Sequence, residues 1–160
     1  MAIDMFLKID GIDGESTDDR HNHEIAILSY AWGEAQPASA GGAGGGTGKI
    51  ALQDFHFSML VNRASPKLFL ACAKGEHFKN AVLTVRHTGT SPTEFLKWRF
   101  SEVLITSYQT AGDIATGALP ADHASLNFSK IEVEYSPVKP DGTLGTPVKA
   151  GWDSKRNKPV

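Results

Sequence analysis

The chain has a single cysteine, Cys72, among its 160 residues, so it cannot form an internal disulfide. A lone cysteine is typical of a protein from a reducing compartment. Such a cysteine usually packs in the core as a small apolar side chain. No apolar run approaches the roughly 20 residues that a helix needs to cross a bilayer. The first residues also lack the basic start and apolar stretch of a typical export signal. We expect a protein assembled in the cytoplasm, without membrane insertion, that leaves the cell only by a route that reads no such signal.

The chain also lacks a strong excess of charge of either sign. Its formal net charge is −2, which gives no basic face for the displacement of counterions from nucleic acid. Hydrophobic residues make up 41% and charged residues 21%, as in ordinary soluble globular proteins. At this length we expect a single domain over residues 1–160, large enough to bury a core of its own.

Most of the chain alternates apolar and polar residues with a period of two, which is typical of β-strands. Ser65 followed by Pro66 predicts the start of one short helix, with Ser65 as its N-cap, and Gly75 predicts its end. The pattern favours a closed or nearly closed antiparallel β-barrel with one short flanking helix. Strands are predicted over residues 3–10, 24–32, 49–60, 81–87, 95–109 and 125–135, with a bulge near 128–131, and a hairpin over 131–139 and 144–152.

The predicted strand 24–32 is apolar on both faces, which is unusual in a sheet whose other strands are half polar. A strand of this kind needs a partner on each side, and in so short a chain one partner can be another subunit. One face carries Leu28, Tyr30 and Trp32, and the other carries Ile25 and Ile27 followed by the small residues Ser29 and Ala31.

Residues 34–48 form a glycine-rich segment that we expect to be a long flexible loop. Its end resembles a phosphate-binding loop, but Ala43 replaces the first glycine and Ile50 replaces the Ser or Thr after Lys49. A strand pattern follows, where phosphate binding requires a helix. Nucleotide binding is therefore not expected.

Other residues that could carry chemistry have simpler interpretations. His21 and His23 lie beside Asp18 and Asp19, which by residue type is a possible metal cluster, although a solvated loop is favoured. The carboxylates at positions 132 and 134 alternate with apolar residues, as on the solvent face of a strand. We therefore predict no catalytic residue, no cofactor and no metal site.

The aromatic residues leave two possibilities open. They could line the cavity of a small-ligand-binding barrel, or they could fill the core, which is the interpretation we favour. A hydrolase is a further alternative, but the sequence offers no nucleophile and base as a pair. The aromatic residues in question are Phe55, Phe57, Trp98, Phe100 and Phe128.

A series of short motifs, each weak alone, together resembles the Hcp (haemolysin co-regulated protein) family of type VI secretion system tube proteins. Their order, spacing and extent match that family almost from end to end. The motifs are MFLKI at 5–9, GES at 14–16, EI at 24–25, WG at 32–33, GK at 48–49, QD at 53–54, SP at 65–66, AC at 71–72, LTVR at 83–86, EVL at 102–104, LNF at 126–128, KPDG at 139–142 and VKxGW at 148–152.

The resemblance implies a two-sheet β-barrel whose copies close into a hexameric ring with a wide channel. Rings of that family stack into a tube inside a contractile sheath, beneath a spike of the VgrG type. Contraction ejects the tube, and small effector proteins can be carried or chaperoned in the channel. The family carries out these roles without a cofactor.

Two sets of residues are candidates for roles in such a ring. Ser29 and Ala31, which are small, are candidates for the channel wall, with an interface between protomers as the alternative. Two loops, at residues 34–48 and 14–23, are candidates for contacts between stacked rings. Their candidate residues are Glu34, Gly41, Gly42, Gly44, Gly45, Gly46 and Gly48 in the first loop, and Glu15, Asp18 and Asp19 in the second.

Overall fold

The computed structural model describes residues 2–37 and 49–160. Within this part of the chain the structure is mainly β, with α1 as the one α-helix, which confirms the predicted class. The elements are β1 (Ile3–Ile9), β2 (Ile25–Ala26), β3 (Ser29–Ala31), β4 (Glu34–Ala35), β5 (Ala51–Leu52), β6 (Phe55–Leu60), α1 (Ala64–Lys74), β7 (His77–His87), β8 (Thr93–Ala111), a 3₁₀ turn (Ile114–Thr116), β9 (Ala121–Asn127), β10 (Lys130–Tyr135), β11 (Val148–Asp153) and β12 (Lys158–Pro159).

The long strand β8 organises the sheet, and every neighbour pairs antiparallel. The main arm has the order β12-β11-β10-β8-β7-β1-β2. The short arm continues from the C-terminal half of β8 through β9 and β6 to β3. Glu102 has φ 54°, and the register with β9 shifts between Ile105 and Ser107, two irregularities that let one strand serve both arms.

The predicted strand over residues 125–135 is wrong as a single element. β9 pairs with the C-terminal half of β8, whereas β10 pairs with the N-terminal half, at Ser101 and the residues before it. The break falls at Phe128 and Ser129, where the sequence pattern slips. The slip therefore marks a passage between the two arms rather than a bulge.

The predicted strand over residues 24–32 is also divided. The Ile27 N–H donates to the Met5 carbonyl on β1 at 3.0 Å, and the Leu28 N–H donates to the Ser58 carbonyl on β6 at 2.8 Å. Before this crossing the odd-numbered residues point into the core, and after it the even-numbered residues do. Leu28 lies at the change and is 55% exposed. The interpretation of two apolar faces is thus wrong, because Ile25 and Ile27 are buried and the partly buried Tyr30 and Trp32 continue the same core.

The crossing at residues 27–28 also decides how the sheet ends. β2 pairs with β1 and β3 pairs with β6, but no strand pairing in the described part of the chain joins these two ends of the sheet. The expected closed barrel is therefore wrong. A passing segment of chain, rather than a continuous ladder, spans the gap between the arms.

Helix α1 begins at Ala64, two residues before the predicted first helical residue, Pro66. The Asn62 side-chain oxygen accepts the Ala64 N–H at 2.8 Å. Ser65 is not the N-cap, because its hydroxyl donates to the buried carboxylate of Asp122 at 2.5 Å. The predicted stop is confirmed, since Gly75 takes the left-handed conformation with φ 63°. No helix in the described residues is long and apolar enough to cross a membrane.

Aromatic rings fill the space between the arms. Phe55 lies 4.7 Å from Phe100, and Phe100 lies 5.2 Å from Phe128, as measured between ring centroids. All three are buried, as is Phe57. Four of the five aromatic residues considered above therefore fill the core, as expected, and they do not line an internal ligand cavity.

Candidate functional site: a polar sheet face and two loops

The outward side of the short arm is a sheet face of small and polar residues. The register places Ser29 opposite Ser58, and Ser58 opposite His123. The alternate residues, such as Phe57 and Ala124, point into the core. We call this surface the serine–histidine face, and it consists of Ser29, Ala31, His56, Ser58, Ser107, Gln109, His123 and Ser125.

Hydroxyl groups bind one another across this face. The hydroxyls of Ser29 and Ser58 form a hydrogen bond between β3 and β6. Ser125 on β9 contacts Ser107 at 2.5 Å and Thr106 at 2.7 Å on β8, in both cases between hydroxyl oxygens. The short hydroxyl side chains therefore satisfy one another, while the longer side chains of His56, Gln109 and His123 are exposed.

The serine–histidine face carries no Lys, Arg, Asp or Glu, although these residues make up 21% of the chain. A shallow depression of about 270 Å³ lies over it, and Ser29 and Ala31 both border this depression. The structure therefore brings the two candidate residues together on an exposed surface. Its side chains offer hydrogen bonds and small apolar contacts, and a carboxylate lies at its margin, where Asp54 accepts the Thr106 hydroxyl at 2.9 Å.

The loop at residues 14–23 is fastened to the outer side of the main arm. Arg86, only 6% exposed, donates to both carboxylate oxygens of Asp18, at 3.0 and 2.5 Å, and to Asp4 at 3.3 Å. Its guanidinium group lies 4.8 Å from the centre of the Phe6 ring. The hydrogen bond from Arg86 lowers the pKa of Asp18 to about 2. Asp18 is thus engaged inside the protein rather than presented to a partner.

His21 fastens the same loop at a second point. Its ring nitrogens lie 2.8 Å from a Glu24 oxygen and 2.7 Å from a Glu94 oxygen, and its ring stacks on Phe6 at 4.5 Å. Both nitrogens are therefore occupied by carboxylates. Among the described residues no group of three or more His, Cys, Asp and Glu could hold a metal ion. Of the acidic candidates in this loop, Glu15 and Asp19 are exposed.

The loop predicted at residues 34–48 begins as a strand instead. Glu34 and Ala35 form β4, which pairs with β5 in a separate two-stranded sheet. The Trp32 indole N–H donates to the Gln53 carbonyl at 2.9 Å and holds the base of this ribbon. A strand follows Lys49, as predicted, where a phosphate-binding loop would be followed by a helix. The candidate residues Gly41, Gly42, Gly44, Gly45, Gly46 and Gly48 lie outside the described residues.

The two carboxylates of β10 lie on the solvent side of the main arm, and Glu134 forms ion pairs there. Glu134 accepts a hydrogen bond from Arg99 at 2.9 Å, and this bond lowers the pKa of Glu134. Glu132 lies opposite Arg99 in the strand register. The expected outer face is confirmed, and Glu134 is held there by Arg99 on β8.

Comparison with known proteins decides the family. A family model described as "Type VI secretion system effector, Hcp" matches residues 6–135. The chain belongs to the Hcp family. Protein hcp1 of Pseudomonas aeruginosa is similar at 40% identity, over 98% of this chain and 98% of that protein. The chain is accordingly a tube protein of the type VI secretion system, and Hcp proteins are secreted components of that system.

Solved Hcp structures have the same fold. Hcp1 from Salmonella typhimurium is 34% identical, with a TM-score of 0.83 and full coverage of both chains. A structure described as a type six secretion system protein is 30% identical, with a TM-score of 0.90 over 99% of this chain and 100% of that one. Because these alignments cover 99–100% of this chain, the structural similarity includes both arms of the sheet.

Most of the serine–histidine face was missed from the sequence. His56 and His123 lie on different strands, 67 positions apart, and become neighbours only when β6 pairs with β9. A signal was present, because both strands alternate apolar residues with Ser and His instead of charged residues. On its own, that alternation cannot say which strands share a face.

Proposed function

We propose that this protein is the non-catalytic subunit of the ejected tube, in which six copies close into a ring and rings stack end to end. The ring would be assembled in the cytoplasm inside a contractile sheath, beneath a VgrG-type spike, and secreted with it. Membership of the Hcp family along nearly the whole chain supports this proposal. The chain acts in it as one domain.

The serine–histidine face is the proposed channel wall, with Ser29 and Ala31 on β3, the last strand of the short arm. The observation that carries this proposal is an outward sheet face of Ser, Ala, Gln and His, in which Ser29, Ala31, His56, Gln109 and His123 are exposed. A wall for varied small effector proteins benefits from such chemistry, because fixed charges would repel some cargoes and hold others too long. The ring then acts as carrier and chaperone rather than as a catalyst.

The two loops are the proposed contacts between stacked rings. Glu34 lies on β4 at the base of the ribbon that leads to residues 38–48. In the loop at residues 14–23, the exposed Glu15 and Asp19 can reach a neighbouring ring, whereas Asp18 supports the loop from within by binding Arg86. The first loop is the stronger candidate, because its ribbon is separate from the main sheet.

The native mass of the purified protein tests the ring. Light scattering after size exclusion is expected to give a particle of about six chains, and negative-stain images are expected to show a central hole. A stable monomer across micromolar concentrations would contradict the proposal.

A further inference from the structure

Helix α1 is apolar on the side that faces solvent as well as on the side that faces the core. Leu68 and Ala71 are buried against the sheet. On the outward side, Phe69 is 61% exposed and Leu70 is 51% exposed. With Pro66 and Ala73, which are also exposed, they follow the i, i+3, i+4, i+7 spacing of a single helix stripe. A surface helix with two apolar stripes requires a second partner.

A groove of about 660 Å³ lies at the opposite margin of the sheet, where the core side of β10 and β11 extends beyond the short arm. The register places Val133 between Trp98 and Ala150, so that these three side chains share one side. Trp152 lies beside them on β11. Trp32 lines one side of the groove, with its ring centroid 5.6 Å from that of Trp98. Within residues 2–37 and 49–160 the groove is therefore an apolar face of the sheet that no element covers.

Two polar atoms at this groove lack an acceptor. The indole N–H groups of Trp98 and Trp152 are buried, and within the described residues neither donates a hydrogen bond. A buried donor without an acceptor costs about 1–3 kcal/mol. An occupant of the groove is thus expected to bring hydrogen-bond acceptors as well as apolar side chains.

Helix α1 has the chemistry that the groove requires. Of the four carbonyl groups in its last turn, those of Ala71 and Cys72 accept N–H groups of Glu76 and Gly75, which leaves those of Ala73 and Lys74 as acceptors for a partner. Its stripe is flanked by Lys67 and Lys74, the helix contains no Asp or Glu, and the groove is bordered by Glu34. The hydrogen bond from Ser65 to Asp122 fastens α1 at the short arm, so that the helix cannot enter the groove of its own chain.

We propose that α1 of one copy docks into the Trp98–Trp152 groove of the next copy, and that this is the lateral contact of the ring. The inference rests on the proposed ring and assigns its contact surfaces. Each copy then gives one helix and receives another, which is a head-to-tail contact that closes into a ring when the rotation permits. The occupant is a second copy because the described part of one chain carries both apolar surfaces, with Lys67 and Lys74 beside the helix stripe and Glu34 beside the groove.

Two single variants and their mixture test this contact. Leu70→Glu disables the helix stripe, and Ala150→Glu disables the groove at an exposed position. Each variant alone is expected to be a monomer. A 1:1 mixture is expected to form a particle of two chains and no larger, because one intact helix meets one intact groove.

Controls separate a lost contact from a lost fold. Ile114→Glu, at a fully exposed apolar residue outside both surfaces, is expected to keep the ring. Circular dichroism and thermal unfolding establish that each variant is folded, and Leu70→Ser with Ala150→Ser replaces the first pair if either glutamate variant is not. If the wild type is a ring and both folded variants remain rings, or if the mixed variants stay monomeric, the assigned surfaces are wrong while the ring stands. A monomeric wild type would instead contradict the ring itself.

Discussion

Asp122 is a fully buried carboxylate that joins α1 to the sheet. It accepts the Ser65 hydroxyl at 2.5 Å and the Tyr108 hydroxyl at 3.0 Å. Burial, together with the hydrogen bond to Asp122, raises the pKa of Tyr108. One acidic residue thus holds the helix in the position from which its outer stripe faces solvent.

Replacing Tyr108 with Phe removes one of these hydrogen bonds and keeps the aromatic side chain. We expect Tyr108→Phe to lower the free energy of unfolding by about 2 kcal/mol, as is typical of a hydrogen bond to a carboxylate. Urea unfolding measures the change. Tyr135→Phe, at a residue 48% exposed, is the matched control and should change stability little. Equal effects of the two substitutions would contradict the role assigned to Asp122.

Asp18 gives the loop at residues 14–23 a dependence on pH. The hydrogen bond from Arg86 lowers its pKa from 3.8 to about 2, so the folded state favours the ionised form. This contribution to stability is complete above the unfolded pKa and is lost as the pH falls from 3.8 towards 2. Asp18→Asn should therefore lower the urea midpoint at pH 7, with a gap to wild type that narrows below about pH 4.

Urea titrations from pH 7 to pH 3 on wild type and Asp18→Asn measure this gap. Asp19→Asn, next to it and exposed, is the control and should show no comparable gap. A gap of constant size down to pH 3 would mean that the effect does not come from the ionised carboxylate.

At the scale of elements, the ribbon of β4 and β5 stands apart from the rest of the sheet. Its two strands pair only over Glu34–Leu52 and Ala35–Ala51 within the described residues. The base is tied to the fold through Trp32 and Gln53. The segment that the ribbon leads to can therefore be shortened without a change in the strands that form the core.

Deletion of residues 41–46 is expected to spare the ring and to weaken the stacking of rings into tubes. The reason is that the ribbon contributes no strand to either arm, whereas stacking needs segments that leave the plane of the ring. Light scattering measures ring mass, and electron microscopy at high protein concentration measures tube length. Tubes of unchanged length and number would contradict the role of this segment.

At the scale of the whole molecule, the two sides of the sheet differ in which residues they bury and which they expose. The core side of the short arm buries aromatic rings, while its outer side is the serine–histidine face. The core side of the main arm is covered only in part, which leaves the groove at β10 and β11. A ring built through that groove can place the serine–histidine faces of all its copies around one channel.

A gold label tests where this face lies in the ring. In a Cys72→Ser background, Ala31→Cys labelled with a small maleimide–gold cluster should place gold in the central hole of rings viewed end-on. Glu132→Cys, on the opposite solvent-facing surface of the main arm, should place gold away from it. Gold at the rim in the Ala31→Cys rings would show that Ser29 and Ala31 do not line the channel.

The sequence alone determined the β-rich class, the C-terminal end of α1 and the family resemblance. Alternation with a period of two is a local property, so β1 was predicted within one residue of its end. Gly75 ended the helix for an equally local reason, since glycine readily takes the left-handed conformation. The motifs needed no structure because they depend on residue identity and spacing.

Only the tertiary structure decided which strands are neighbours. Whether residues 24–32 form one strand or two depends on hydrogen bonds to β1 and β6, which lie far away along the chain. The same holds for Ser65, whose hydroxyl binds Asp122 instead of capping α1, and for Phe69, which faces solvent rather than the core. Periodicity tells which residues share a side of one element, but the partner on that side is chosen by contacts between distant segments.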